Sequence, residues 1–333
     1  MQDHLPYVTL ITPIHNGGPH YPTCFEALSR LEYPSGSLEI HVIDDYSTDG
    51  TREYLQRQSP PDFIRLHFPE ANLGRARVRN LALSDATGEV VILLDGDMEV
   101  QPDFLKAHVD ELARPGREAV IGRVVPASWL TRSKLNRYLY EYPRRGARQF
   151  GPDVPIGFQY LLTNNLALSR RALEAGGPLE ESFRCYGGED TLFGYRLARK
   201  LPNSIFYSPQ PVAVHHHNRT LRQHLKDFGD YGYHNLPRII TRYPEIATPL
   251  AADYAWPFSG NYFRRRRRAG RLLFNRLTNS LARALLPITP FPASSILVRF
   301  LTVSSVVRGL RRYVRNHPVE AQSPLNPSIP TER

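Results

Sequence analysis

Four short runs bring together groups able to do chemistry: Asp44-Asp45, Asp95-Gly96-Asp97, Glu189-Asp190 and His215-His216-His217. Carboxylates and imidazoles can take protons, bind hydroxyl groups or hold a divalent cation. Two of the acidic runs end expected strands, Leu38–Ile43 and the wholly apolar Val90–Leu94. A strand that leaves water and ends in two carboxylates needs a partner for them, because burying unpaired charge is costly. That partner is solvent, a basic side chain or a metal ion. Before Glu189-Asp190 stands Gly187-Gly188, a pair that allows the backbone to approach a ligand closely.

The elements that must position these groups follow from periodicity. Strands are expected at Val8–Ile11, Leu38–Ile43, Ile64–Phe68 and Val90–Leu94, interleaved with helices at Thr23–Leu31, Thr51–Gln58 and Arg75–Ser84. This alternation predicts an α/β domain around a mostly parallel sheet. Ligands of such sheets bind beyond the carboxyl ends of strands. Asp44-Asp45 and Asp95-Asp97 both fall there, so one shared ligand site is expected. Residues 101–160 show no clear pattern. Beyond them a strand is expected at Leu161–Leu168, helices at Arg170–Ala175 and Thr191–Arg199, and a strand at Val212–Val214 leading into the histidines. Two cysteines, Cys24 and Cys185, make no disulfide framework and fit a reducing compartment. No signal peptide is expected from the first residues.

Four segments carry a family resemblance: "VTLITPIHNGG", "EIHVIDDYSTDGT", "NLGRARVRNLALSDATGEVVILLDGDM" and "LTNNLALSRRALEAGGPLEESFRCYGGEDTLFGYRLARK". In this order, over roughly residues 7–235, they resemble the inverting family 2 glycosyltransferases of GT-A fold. The last is also similar to the galactosyltransferase C-terminal motif. The resemblance implies transfer of a sugar from a nucleotide-sugar, UDP-linked, to a hydroxyl of a glycan or lipid-linked acceptor. It implies Mn2+ or Mg2+ at the diphosphate, with Asp97 as direct ligand and Asp95 facing ribose or a water around the metal. It places His215 at the metal, with His217 as the alternative, since residues two apart on a strand share a face. Thr12, Pro13 and His15 would wall the base, Asp45 would contact it, and Arg77 and Asn80 would face the diphosphate. Asp190 is the implied general base, taking the proton of the attacking hydroxyl. Glu189 would bind the acceptor or orient its loop, and Tyr186, Gly187 and Gly188 would contact the acceptor. Two positions depart from the family pattern: Tyr46 replaces a usual glycine, and Tyr186 a frequent tryptophan.

Other accounts explain less. Acids at a helix start are favourable without any catalysis, but that leaves the glycine pair unexplained. A sugar-nucleotide pyrophosphorylase would need a glycine-rich, basic N-terminal phosphate loop, which is missing. An inactive nucleotide- or carbohydrate-binding scaffold at a membrane surface is the alternative, against which stand Asp97, Glu189-Asp190 and His215.

The formal charge of +10 is uneven. No acidic residue lies between Asp253 and Glu320, a stretch with 13 arginines that includes Arg264–Arg268, while the body before it is close to neutral. Such asymmetry points to an anionic partner. Leu273, Leu277, Leu281 and Leu285 recur every fourth residue. Ile296, Phe300, Val303, Val307, Leu310 and Val314 form a second stripe, with Arg308, Arg311, Arg312 and Arg315 to another side. These predict amphipathic helices with basic faces. Pro287, Pro290 and Pro292 interrupt the best apolar span, so no transmembrane helix is expected. The expected partner is an anionic membrane surface, at the cytoplasmic, inner face of the plasma membrane, with packing on the body or a dimer partner as the competing account. Nucleic acid is not expected, because the apolar stripes need burial. The expected domains are 1–245 for the GT-A domain, 246–315 for the basic helical region and 316–333 for a disordered tail.

Overall fold

The computed structural model describes residues 5–183 and 185–318. They form two compact units. The first holds the described residues through Leu130, with Pro143–Ser182 and Glu189–Asn218; the second holds Thr131–Tyr142, the described part of Phe183–Gly188, and the described residues from Arg219 on. The expected limit at 245 thus moves back to 218, and two upstream segments join the second unit.

In the first unit the chain runs β1 (Val8–Ile14), α1 (Tyr21–Ser29), β2 (Leu38–Asp44), α2 (Thr51–Gln56), β3 (Ile64–His67), α3 (Arg75–Asp85), β4 (Val90–Leu94), β5 (Met98–Val100), α4 (Phe104–Leu112) and β6 (Ala119–Pro126). After α5 (Lys134–Asn136), which belongs to the second unit, come β7 (Asn165–Ser169), α6 (Arg170–Gly176), α7 (Glu189–Lys200) and β8 (Ile205–His215). The strands form one sheet in the order β3-β2-β1-β4-β7-β6-β8-β5. Four of the seven pairings are parallel, while β7 pairs antiparallel with β4 and β6, and β5 with β8. The sheet is covered on both faces. Leu10, Val42 and Ile92 pack with Phe25 of α1 and Phe104 of α4. Their neighbours Ile11, Ile43 and Leu93 pack with Val78 of α3 and Phe193 of α7. Successive strand residues point to opposite faces, so unbroken apolar runs mark strands buried on both sides.

Three expectations change. The patternless stretch 101–160 contains α4 and β6. The strand expected at 161 begins at Asn165, because Leu161 closes a turn onto the carbonyl of Phe158. β8 spans 11 residues rather than three. Pro209 and Pro211 hide it in the sequence, and the pairing with β6 slips between Ile121 and Arg123, where a bulge accommodates them.

The second unit is helical: α5, α8 (Leu221–Asp230), a π-helical turn at Tyr231–Asn235, α9 (Leu236–Arg242), α10 (Asn261–Leu273), α11 (Arg276–Leu285) and α12 (Ala293–Asn316). α12 is its spine. Val307 and Leu310 pack with Trp256, Phe258 and Phe263. Val298 and Leu301 pack with Leu135, Tyr138 and Tyr142, which explains why Thr131–Tyr142 belongs here.

The basic region departs from expectation. α12 has 24 residues and an 18-residue window of mean hydropathy 1.3, so by length and composition alone it is long and apolar enough to cross a membrane. The prolines end before it starts. Just over half of that window, 56%, is buried inside the protein. Its buried face is set by Val298 and Leu301, and the expected stripe residue Ile296 is exposed. The arginine run is also divided. Arg266 pairs with buried Asp253 (2.9 Å) and lies over Tyr254, and Arg267 donates to the carbonyl of Phe258, whereas Arg264, Arg265 and Arg268 are exposed. The expected tail from 316 begins inside α12, and its remainder after 318 lies outside the described residues.

Candidate active site

Asp95, Gly96 and Asp97 make the turn from β4 to β5. Gly96 donates its N–H to the Pro13 carbonyl of β1 (3.1 Å). A Cβ there would stand 2.7 Å from that carbonyl oxygen and 2.8 Å from the Ile14 side chain. Only glycine lets the acidic turn sit against β1, where Thr12 is buried beside Pro13. Asp95 accepts from the guanidinium of Arg79 on α3, a side chain 4% exposed. Arg79, rather than Arg77, is therefore the arginine turned to the acidic turn. Residues two apart on a helix point about 200° apart, and Arg77 is exposed. Buried Ala76 and Ala82, three residues to either side of Arg79, were the available signal for this face. Asn80 is committed to structure: its amide bonds both ways with the Leu179 backbone (2.9 Å each) and donates to Glu181.

Asp97 is the focus of the histidine run. Its Oδ2 lies 3.2 Å from His215 Nε2 and 3.8 Å from His217 Nδ1. Its Oδ1 is buried without a hydrogen-bond partner. Burial pushes this carboxyl up, but the two imidazoles outweigh it and hold it below the usual carboxylate range. His216, on the other face, donates to Glu99 (2.8 Å) and accepts from Trp129 Nε1–H (3.1 Å), and Trp129 stacks on His20 at 4.3 Å. Sequence reading missed this cluster, whose members come from four separate segments. Nearby, burial and the charges of Asp97 and Glu99 push the Cys24 thiol up to about 12, so it stays protonated. The orphaned carboxylate oxygen with imidazoles close by suits a divalent cation. Among the described residues no three or more His, Cys, Asp or Glu side chains form a ready-made cation site, so further ligands would have to come from a bound molecule.

Asp45, buried, accepts from the backbone N–H groups of Leu73 (2.6 Å) and Gly74 (3.0 Å), fixing the loop into α3. A carboxylate has lone pairs beyond these two. His15 is exposed, with Nδ1 2.9 Å from the Asp45 carbonyl and 3.1 Å from Asn72 Nδ2. Tyr46 takes the left-handed conformation of the glycine it replaces, at φ 63°, and its exposed ring carries the Arg52 guanidinium at 5.5 Å. Asp44 accepts from the Ser47 N–H and shapes the same turn.

Glu189 and Asp190 open α7. Burial and the Glu189 charge push Asp190 up to about 7, while Arg79 pulls it down, so Arg79 acts on both acidic sites. Glu189 is buried with Oε2 unpartnered. In the second unit, Gly187 and Gly188 have φ of 77° and 111°. A Cβ at 188 would meet Phe183 at 3.2 Å and Ile239 at 3.3 Å. Asn235, another residue missed in the sequence, donates to the carbonyls of Gly187 (2.7 Å) and Cys185 (3.2 Å) and holds the turn. Tyr186 carries Arg219 over its ring at 4.7 Å.

Comparison with known proteins bears on the family and the fold. The model of the glycosyl transferase family 2 matches residues 9–176, from β1 to the end of α6. Glycosyltransferase AglE of Haloferax volcanii is 28% identical over 125 residues, 37% of this chain and 41% of that protein. The putative teichuronic acid biosynthesis glycosyltransferase TuaG of Bacillus subtilis is 34% identical over 112 residues, 33% of this chain and 43% of that protein. The chain thus spans less than half the length of these relatives. Among solved structures, the mannosyltransferase PcManGT from Pyrobaculum calidifontis, in complex with GDP-Man and Mn2+, has a similar fold, with a TM-score of 0.59 at 20% identity over 92% of this chain and 88% of that one. The fold is the expected GT-A type. Since the family model spans 168 of the 333 residues, including both acidic strand ends and Arg79, this chain belongs to glycosyl transferase family 2.

Proposed function

We propose that this protein is an inverting glycosyltransferase that moves a sugar from a nucleotide-sugar, UDP-linked, to a hydroxyl of a glycan or glycolipid. The observation that carries this is Asp190: a carboxyl in the first turn of α7, one residue beyond the glycine pair and Glu189, pushed up to about 7. A base of that strength is partly ionised at neutral pH, yet basic enough to take a hydroxyl proton as the oxygen attacks the anomeric carbon. Glu189 keeps a free acceptor oxygen for a donor on the incoming sugar. Asp95, oriented by Arg79, faces the ribose, and Thr12, Pro13, His15 and Asp45 line the base. Two solved neighbours support a nucleotide-sugar donor: PcManGT with GDP-Man, and Staphylococcus aureus TarS 1–349 with UDP, at a TM-score of 0.50. Asp97, with His215 or His217, would hold Mn2+ or Mg2+, which when bound offsets the charge of the leaving diphosphate.

The test is nucleotide release from a panel of sugar nucleotides, with and without Mn2+, for the wild type, Asp97→Asn and Asp190→Asn. Slow hydrolysis of one UDP-sugar that needs both metal and Asp97 is the expected result. If no sugar nucleotide is hydrolysed and calorimetry detects no binding of any of them, the enzyme reading is wrong.

A further inference from the structure

We propose that the outward face of α11 seats on an anionic lipid surface. Of twelve large apolar side chains exposed among the described residues, seven lie between residues 272 and 296. Leu277 (78% exposed), Leu281 (57%) and Leu285 line one side of α11, and Leu273 and Ile288 extend the strip at its ends. The opposite side of the helix is buried, yet it carries Asn279, which donates to Ser304 Oγ at 2.6 Å, and the small Ala282. An amphipathic helix on a water-soluble protein turns its apolar side inward. α11 turns only small Ala282, packed in the cluster of Val298 and Leu301, and the hydrogen-bonded Asn279 inward, and shows its leucines outward.

The charge around the strip identifies the occupant. Arg276 and Arg283 on α11, Arg264, Arg265, Arg268 and Arg271 on α10, and Arg299 on α12 are all exposed, and no acidic residue occurs from 254 to 319. Leucines in a stretch whose charged side chains are all arginines match the boundary of an anionic bilayer, with side chains among the acyl chains and arginines on headgroup phosphates. A second copy of this chain fits poorly, because a two-fold contact would face arginine with arginine and offer no acid. α12, the helix whose composition suits a membrane, is not the seat: Val298, Leu301, Val307 and Leu310 are fully buried.

The full-length protein is floated with vesicles of phosphatidylcholine alone or of equal parts phosphatidylcholine and phosphatidylglycerol. Binding is expected only with phosphatidylglycerol, falling at high salt. Leu277→Ser with Leu281→Ser should weaken it at least tenfold while the circular dichroism melt and nucleotide release in solution stay unchanged. Arg276→Gln and Arg283→Gln should each cost about fivefold. Binding that ignores the leucine pair overturns the assignment, as does absence of vesicle binding together with a dimer by sedimentation that the same pair dissolves. Because nucleotide release is read separately, failure here is distinguishable from failure of the sugar-transfer reading.

Discussion

Asp97 and Asp190 are the same side chain held in opposed environments. His215 and His217 keep Asp97 ionised, whereas burial and Glu189 make Asp190 a carboxyl of about 7. A general base must be deprotonated to work, so transfer is expected to rise with pH through about 7 and to be lost as pH falls below it; initial rates from pH 5.5 to 8.5, ~3 units around that value, check this. Asp190→Asn should lower transfer by about 10²–10⁴-fold at every pH. Arg79→Gln removes the cation that lowers Asp190, so its rate profile should move to higher pH as well as fall in height, a shift that loss of folding alone would not give. The acids were legible in the sequence because strand ends and a glycine pair announce them. Choosing Arg79 over Arg77 was not, since the choice depends on which side of α3 meets the sheet. Trp129 and Asn235 act across long chain separations that no local pattern reveals.

At the scale of elements, β4 was readable from its unbroken apolar run, β1 and β2 from their largely apolar composition, and α3 from helical spacing. β6 and β8 were not, because a bulge and two prolines break their alternation while the pairing persists around them. Two glycines carry structural weight that can be measured. Gly96→Ala places a methyl group against a backbone carbonyl of β1 and should destabilise by about 1–3 kcal/mol by urea titration, with a matching loss of metal-dependent nucleotide release. Asn235→Ala leaves the Gly187 and Cys185 carbonyls without their donor. It should cost about 1–3 kcal/mol if those groups stay buried, and it should reduce transfer more than donor hydrolysis, because the turn it holds precedes the proposed base.

For the whole molecule, two buried groups set opposite pH slopes. Burial depresses His108 from 6.5 to about 4, although Asn165 partly opposes this. The unfolded chain therefore binds that proton first, and stability falls as pH drops from 6.5 towards 4. Asp190 is raised, so the folded chain holds a proton the unfolded chain has released, and its contribution is lost as pH rises towards 7. In Asp190→Asn the opposing contribution is gone, and the melting temperature should drop more steeply between pH 6.5 and 4 than in the wild type. The overall α/β architecture and the basic helices after it were legible, but their boundary was not, because the second unit recruits segments from earlier in the chain. This has a consequence for biosynthesis. The last strand of the sheet ends at His215, whereas Leu135, Tyr138 and Tyr142 pack with Leu225, Ala282, Leu286, Val298 and Leu301. As the chain leaves the ribosome, the sheet has all its strands while those three side chains still wait for partners made roughly 80 to 170 residues later. A chain terminated after Asn218 would keep its complete sheet and carry that apolar segment uncovered, as a site for chaperones or aggregation.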